Sequence, residues 1–371
     1  IMKLKLTSIL LIAFAVIISV YNYIYNYDSS SARMTALNLS IPVNPDYIKT
    51  AEYAQVMDTL VVPFVDSLRI SGTFTNSNHT ISYDYYRLDS AKANVVISHG
   101  FTERKEKYKE LAYYFLRMGY QVFILDHFGH GSSARIVSDS SMVFVDQYET
   151  FTNDLRKFIT HTVAKHGKGL KTILFGHSMG GAIAARTVQM HPGIVDGLIL
   201  NAPMMKIGNA PPDFIIDVSS GIMILLGQEA EYALGHRGFD STLDYLYDPP
   251  NPATLCDEKG EYWHNTTLSL TKRPSYGASW RAVSEFIRLT HDVVKAENVK
   301  RIDIPVLLFQ AEKDTYVAPE GHFEFANNAS DIRFLWVKGA GHEIYIENDS
   351  IVPAFLYEIQ KYIEVILHTG T

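Results

Sequence analysis

The sequence predicts an α/β protein: a mostly parallel sheet with helices on both faces and one helical insertion. Three observations carry this. Short runs rich in Val, Ile, Leu and Phe alternate with longer amphipathic runs, the pattern of strands buried on both faces between covering helices. The alternation fails between Pro203 and about Ile302, then resumes. A Gly-x-Ser-x-Gly pentapeptide sits where one apolar run gives way to an amphipathic one.

In order, Val95-Val96-Ile97-Ser98 reads as a strand running into His99-Gly100-Phe101, and Tyr108 to Met118 as a helix closed by Gly119. Gln121 to Leu125 is the next strand, and Phe151 to Val163 a helix with Leu155, Phe158 and Ile159 on its inner face. Thr172 to Phe175 and Gly197 to Leu200 are strands flanking a helix, Ala182 to Met190, that Pro192 stops. After the insertion come strands at Pro305–Phe309 and Arg333–Trp336 and a closing helix, Ile351 to Leu367.

The bulk numbers are compatible with that plan. The chain has 371 residues, 47% hydrophobic and 20% charged, enough to bury a large core and too apolar for disorder. Its net charge of −7 gives no basic face for nucleic acid. The single cysteine, Cys256, rules out an intramolecular disulfide, and its Thr-Leu-Cys-Asp-Glu setting carries no nucleophile motif.

Lys3 and Lys5 precede an apolar run, Leu6 to Val20, extended by Tyr21, Tyr23, Ile24 and Tyr25. This predicts an uncleaved membrane anchor over residues 1–27, with the body on the non-cytoplasmic side. The alternative is a cleaved signal that leaves a secreted or periplasmic protein, with Ser29-Ser30-Ser31-Ala32 the nearest small-residue site. Residues 28–68 read as a stalk and lead-in, 69–202 as the first part of the core, 203–302 as a cap, and 303–371 as the second part of the core.

Gly176-His177-Ser178-Met179-Gly180-Gly181 follows a strand and precedes a helix, the setting of a nucleophile elbow. Such a turn projects its serine above the sheet at the positive end of a helix. A serine nucleophile needs a base, and the base needs an orienting acid. In the order Ser, acid, His, the candidates are Asp314, in Phe309-Gln-Ala-Glu-Lys-Asp314, and His342, in a glycine-flanked loop after the last strand. Glu312 is the rival acid. The oxyanion of an ester transition state calls for two backbone N–H groups, here those of Met179 and Phe101, with His99 bracing the loop.

With these residues in place, His-Gly-Phe-Thr-Glu (99–103), Asp-His-Phe-Gly-His-Gly-Ser-Ser (126–133), the elbow, Gln-Ala-Glu-Lys-Asp (310–314) and Gly-His-Glu (341–343) resemble the lysophospholipase and monoacylglycerol lipase branch of the α/β-hydrolases. The likeness runs from about Tyr83 to Ile366 and is strongest to bacterial membrane-associated lysophospholipases. It implies a Ser178–Asp314–His342 triad, a lipid monoester substrate, and neither metal nor other cofactor. Phe128 stands where that branch commonly carries Arg.

Two other readings share the fold. A proline-type aminopeptidase would need cap carboxylates, such as Glu229 and Glu231, to hold a substrate amine. A non-catalytic, membrane-tethered binding protein would be expected to have lost a triad residue. Within the cap, the run Asp213 to Gly227 is apolar around most of its second half. Phe214, Ile222 and Leu226 are therefore the candidate acyl-chain contacts, the alternative being burial of both faces by protein.

Overall fold

The computed structural model describes residues 34–41, 47–251 and 253–369. The expected anchor over 1–27 lies outside them. Among the described residues no helix is long and apolar enough to cross a membrane.

The main sheet has nine strands: β1 (Met34–Ala36), β2 (Arg69–Asn76), β3 (His79–Tyr86), β4 (Ala93–Ser98), β5 (Tyr120–Leu125), β7 (Thr172–His177), β8 (Gly197–Asn201), β10 (Val306–Ala311) and β11 (Ile332–Val337), with β6 (Met142–Val143) and β9 (Gly277–Ala278) pairing separately. Their spatial order is β1-β11-β10-β8-β7-β4-β5-β3-β2. Only β2 with β3 and β3 with β5 run antiparallel. Every residue of β4, β5, β8 and β10 is buried, which is why each reads as an unbroken apolar run. Because β4, β7, β8, β10 and β11 are mutually parallel, their C-terminal ends share one edge, and the loops leaving that edge can converge on a site.

One face of the sheet is covered by a helical segment at 53–67, by α1 (Lys109–Arg117) and by the closing helix Val352–His368, with Leu111, Phe115, Phe355 and Ile359 in a common core. The other is covered by α2 (Glu149–Lys157, continued by a wider turn, Phe158–Val163), α3 (Met179–Met190) and Trp280–Val294, through Phe151, Ile183, Phe286 and Leu289.

Two boundaries differ from the sequence reading. The segment expected to be a stalk is part of the core where it is described. Met34–Ala36 adds a parallel strand to β11, and Tyr53, Met57, Val61 and Val65 are buried. These four recur every fourth residue, the spacing of one helix stripe. Pro63 disguised it, since proline inside a helical pattern reads as a break; here it opens the last piece, Val62–Ser67, after a wide turn over Met57–Val61. The last part of the inserted stretch is likewise core rather than cap, since Ala282, Phe286, Leu289 and Val293 pack beneath the sheet.

The remainder of the insertion holds α4 (Asp213–Leu225) and α5 (Asp257–Leu270). Lys259 of α5 is fully buried, and its Nζ lies 2.8 Å from Oε1 of Glu110 on α1. Tyr53 donates its hydroxyl to the other carboxylate oxygen at 2.7 Å and accepts the indole N–H of Trp263 at 2.8 Å. Removing one partner of such a pair would strand a charge in the interior.

Candidate active site

Ser178 occupies the turn from β7 into α3 with φ 52° and ψ −123°, a left-handed backbone that a residue bearing a Cβ adopts only under constraint. Packing supplies the constraint. A Cβ on Gly176 would stand 2.7 Å from the Gly180 carbonyl oxygen, and one on Gly180 would run into the carbonyls of Ser98 and His99 at the end of β4. The turn is pinned by Ser178 N–H to the Asn201 carbonyl (3.1 Å) and Met204 N–H to the Ser178 carbonyl (2.8 Å).

Asp314 follows β10 and His342 follows β11, and the two meet: His342 Nδ1 lies 2.7 Å from Asp314 Oδ2, whose side chain is wholly buried. The other oxygen accepts the N–H groups of Tyr316 (2.9 Å) and Val317 (3.1 Å). Burial alone would raise the Asp314 carboxyl, but the His342 hydrogen bond, its charge and the two N–H donors outweigh it and hold the group below the usual range. The rival acid is engaged elsewhere, since Glu312 Oε2 accepts Gly339 N–H at 3.0 Å. The His342 ring packs at 4.7 Å on that of His177, the residue before Ser178. No hydrogen bond joins Ser178 Oγ to His342; the contact between a nucleophile and its base often tightens only with substrate.

Asp314→Asn should therefore cost on the order of 10⁴ in kcat, because an amide would favour the wrong imidazole tautomer. Glu312→Gln should be mild. Steady-state kinetics of the two variants would reveal the opposite ranking if Glu312 were the working acid.

Phe101 follows β4. Its N–H has no acceptor among the described residues, and Met179 opens α3, where a helix leaves its first N–H groups unpaired. His99 braces this loop as expected: its Nε2 accepts His127 N–H at 2.9 Å, so Nδ1 carries the proton toward the Gly100 carbonyl at 2.8 Å.

Sequence reasoning missed the group beneath these loops. Glu103 Oε2 accepts Gly100 N–H (2.6 Å) and the Tyr108 hydroxyl (2.5 Å), and its Oε1 accepts the Tyr345 hydroxyl (2.9 Å). Lys107 pairs with Glu103 at 2.8 Å and with Glu343, the neighbour of His342. The chain Gly100–Glu103–Lys107–Glu343 thus ties the Phe101 loop to the His342 loop through the interior. Glu103, His177 and Glu343 could converge on a cation, but the Lys107 ammonium already stands on both carboxylates. Both glutamates lie inside quoted motifs; what the sequence lacked was any sign that charged side chains would be buried together.

The cap candidates are not gathered into the site. Phe214, Ile222 and Leu226 are 55%, 52% and 65% exposed, alongside Leu225 at 86%. Only Ile216 and Ser220 of α4 are buried. The helix rests on that narrow stripe and turns its apolar majority outward, so neither an enclosed acyl groove nor burial on both faces describes it.

Comparison with known proteins identifies the family. The family described as serine aminopeptidase, S33, matches residues 89–349. The chain belongs to that family. Lysophospholipase L2 of Escherichia coli (strain K12) is 31% identical over 281 residues, covering 71% of this chain and 78% of that one. Monoglyceride lipase of Mus musculus is 24% identical over 275 residues, 73% and 82% of the two chains. A soluble variant of monoglyceride lipase from Saccharomyces cerevisiae, solved with a substrate analogue, superposes with a TM-score of 0.62 at 20% identity, covering 81% of this chain and 96% of that one. At that identity the likeness establishes the α/β-hydrolase fold alone.

Proposed function

We propose that the protein is a serine hydrolase of lipid monoesters, lysophospholipids or monoacylglycerols, working through an acyl-enzyme. The observation that carries the reading is the Asp314–His342 pair set beside a strained Ser178, in a chain whose curated relatives carry lysophospholipase and monoglyceride lipase names. Ser178 Oγ attacks the ester carbonyl while His342 takes its proton, and Asp314 steadies the imidazolium. The N–H groups of Phe101 and Met179 receive the oxyanion. His342 then passes the proton to the leaving alcohol, and water repeats the sequence to release the fatty acid. Residues 1–27 are the proposed anchor, holding the enzyme at its substrate's membrane.

The exposed apolar side of α4 suits an aggregated substrate, which the helix would meet before a single chain enters the site. The aminopeptidase reading has less support in the cap, where Glu229 is bound to Arg281 Nε at 2.9 Å. A hydrolysis panel separates the two: 1-palmitoylglycerol, lysophosphatidylcholine, p-nitrophenyl acetate and an aminoacyl-proline amide. Turnover confined to the last would end the lipid reading. In the same panel, Ile222→Ser with Leu225→Ser should lower rates on micellar palmitoyl esters several-fold, since each CH₂ taken from water is worth about 0.8 kcal/mol. Rates on p-nitrophenyl acetate should hold. A parallel fall in both, with a lower Tm, would make α4 a structural element only.

A further inference from the structure

A cleft of about 490 Å³ lies between the core loop 102–107 and the cap residues 239–276. That is within the usual range for an organic ligand and roomy for glycerol alone. Thr102 and Glu343 line it; the first follows Phe101 and the second follows His342. Chemistry assigns this side of the site. His342 must hand its proton to the departing oxygen, so the leaving group lies on the His342 side and the acyl chain on the other. The α4 residues are not among the lining residues.

The charges in the cleft can be accounted for one by one. Lys107 is shared by Glu103 and Glu343, so it has little left for a ligand. Asp244 is held by Arg237 Nη2 and by the Tyr276 hydroxyl, each at 2.7 Å. Two groups remain. Arg104, on the core wall, gives only its Nε to Glu106 (2.6 Å), and its two Nη nitrogens carry no hydrogen bond among the described residues. Asp248, on the cap wall, is exposed and has neither a hydrogen bond nor an ion pair among them. A guanidinium with two free Nη nitrogens, its charge shared with Glu106, and an unpaired carboxylate thus line the same cleft, the first on the same short loop as Phe101 and the second on the cap.

We infer that this cleft is a head-group subsite for zwitterionic phospho-esters, with the phosphate on Arg104 and the ammonium on Asp248. The inference rests on the lipid monoesterase reading and narrows it to lysophospholipids with an amine head group. A guanidinium end with two free N–H-bearing nitrogens matches a pair of phosphate oxygens. The phosphate is nearer the scissile ester than the amine is, and Arg104 is on the loop that carries Phe101, whereas Asp248 belongs to the cap.

The test uses the full chain and palmitoyl esters that differ only in the leaving group: 1-palmitoylglycerol, lysophosphatidylethanolamine and lysophosphatidylglycerol, which has a phosphate but no amine. The readout is kcat/KM for each phospholipid divided by that for 1-palmitoylglycerol. Arg104→Gln should lower both ratios by about ten-fold or more, the worth of a charge-assisted hydrogen bond. Asp248→Asn should lower only the ratio for lysophosphatidylethanolamine. Ratios that stay within about two-fold of wild type in both variants would overturn the subsite. Asp248 is exposed, so its variant decides the matter even if Arg104→Gln fails to fold. Wild-type protein that cleaves none of the three esters would instead refute the lipid reading, before any ratio is taken.

Discussion

Ser178→Ala is expected to lower kcat by on the order of 10⁶, about 8 kcal/mol of transition-state stabilisation, while the protein stays folded. The size follows from removing the nucleophile itself: no other hydroxyl is placed at the elbow, and the remaining N–H donors can assist only direct attack by water. The fold should survive because the substitution keeps the Cβ and deletes only Oγ. The backbone bonds that pin the turn, Ser178 N–H to Asn201 and Met204 N–H to the Ser178 carbonyl, are untouched. Kinetics on a p-nitrophenyl ester, a fluorophosphonate label and a melting curve check this together. A variant that retains a tenth of the activity, or is still labelled, would show that the nucleophile is elsewhere.

The second large effect is on stability in acid. Three buried histidines are held neutral. Burial is the main cause for each, pushing His177 and His130 down to about 3 and His322 to about 4. For His177 the neighbouring His342 and Lys107 add to burial against the pull of Glu103. The unfolded chain would protonate all three near pH 6.5. The unfolded state therefore binds more protons below that pH, and stability is intact above it and lost as pH falls. At pH 5 each histidine favours unfolding by about 2 kcal/mol, roughly 6 kcal/mol together, against a typical total of about 5–15 kcal/mol. His99 and His127, also lowered by burial, act in the same direction. Carboxyls that burial raises, such as Asp84, Asp154 and Glu347, take up protons in the folded state first and soften the loss at the acid end. Tm should thus drop steeply between pH 6.5 and pH 5. A Tm flat over that interval would mean these imidazoles are solvated or already charged.

Much of this was readable before any coordinates. Ser178, Asp314 and Phe101 each follow a strand that is buried on both faces or nearly so, and His342 follows one whose centre is buried; such strands announce themselves as apolar runs. The elbow adds glycines whose absence of a Cβ the structure shows to be obligatory. Legibility fails where burial is partial or polar. β2 is largely exposed and reads Arg-Ile-Ser-Gly-Thr-Phe-Thr-Asn, with no clean alternation. β1 contributes three residues and is held by its place beside β11 rather than by propensity. The Glu103–Lys107–Glu343 chain is invisible because isolated charges signal solvent, and only their mutual pairing lets them be buried. In α4 the apolar residues were visible but their direction was not, because hydrophobicity alone does not distinguish a residue covered by protein from one left exposed.

The Lys259–Glu110 pair bears on where this enzyme can be cut. The S33 family match begins at residue 89, yet Tyr53, which donates to Glu110 and receives Trp263, lies well before that point. The rings of Tyr47 and Tyr53 also lie against the Lys259 ammonium, at 5.4 and 4.9 Å. At the other end, the helix bearing Phe355 and Ile359 begins after residue 349, where that family match ends. A fragment trimmed to residues 89–349 would keep every residue of the proposed triad. It would lose the hydroxyl and aromatic faces that make a buried lysine tolerable, together with one wall of the core. The segment matched by the S33 family is smaller than the segment that must fold.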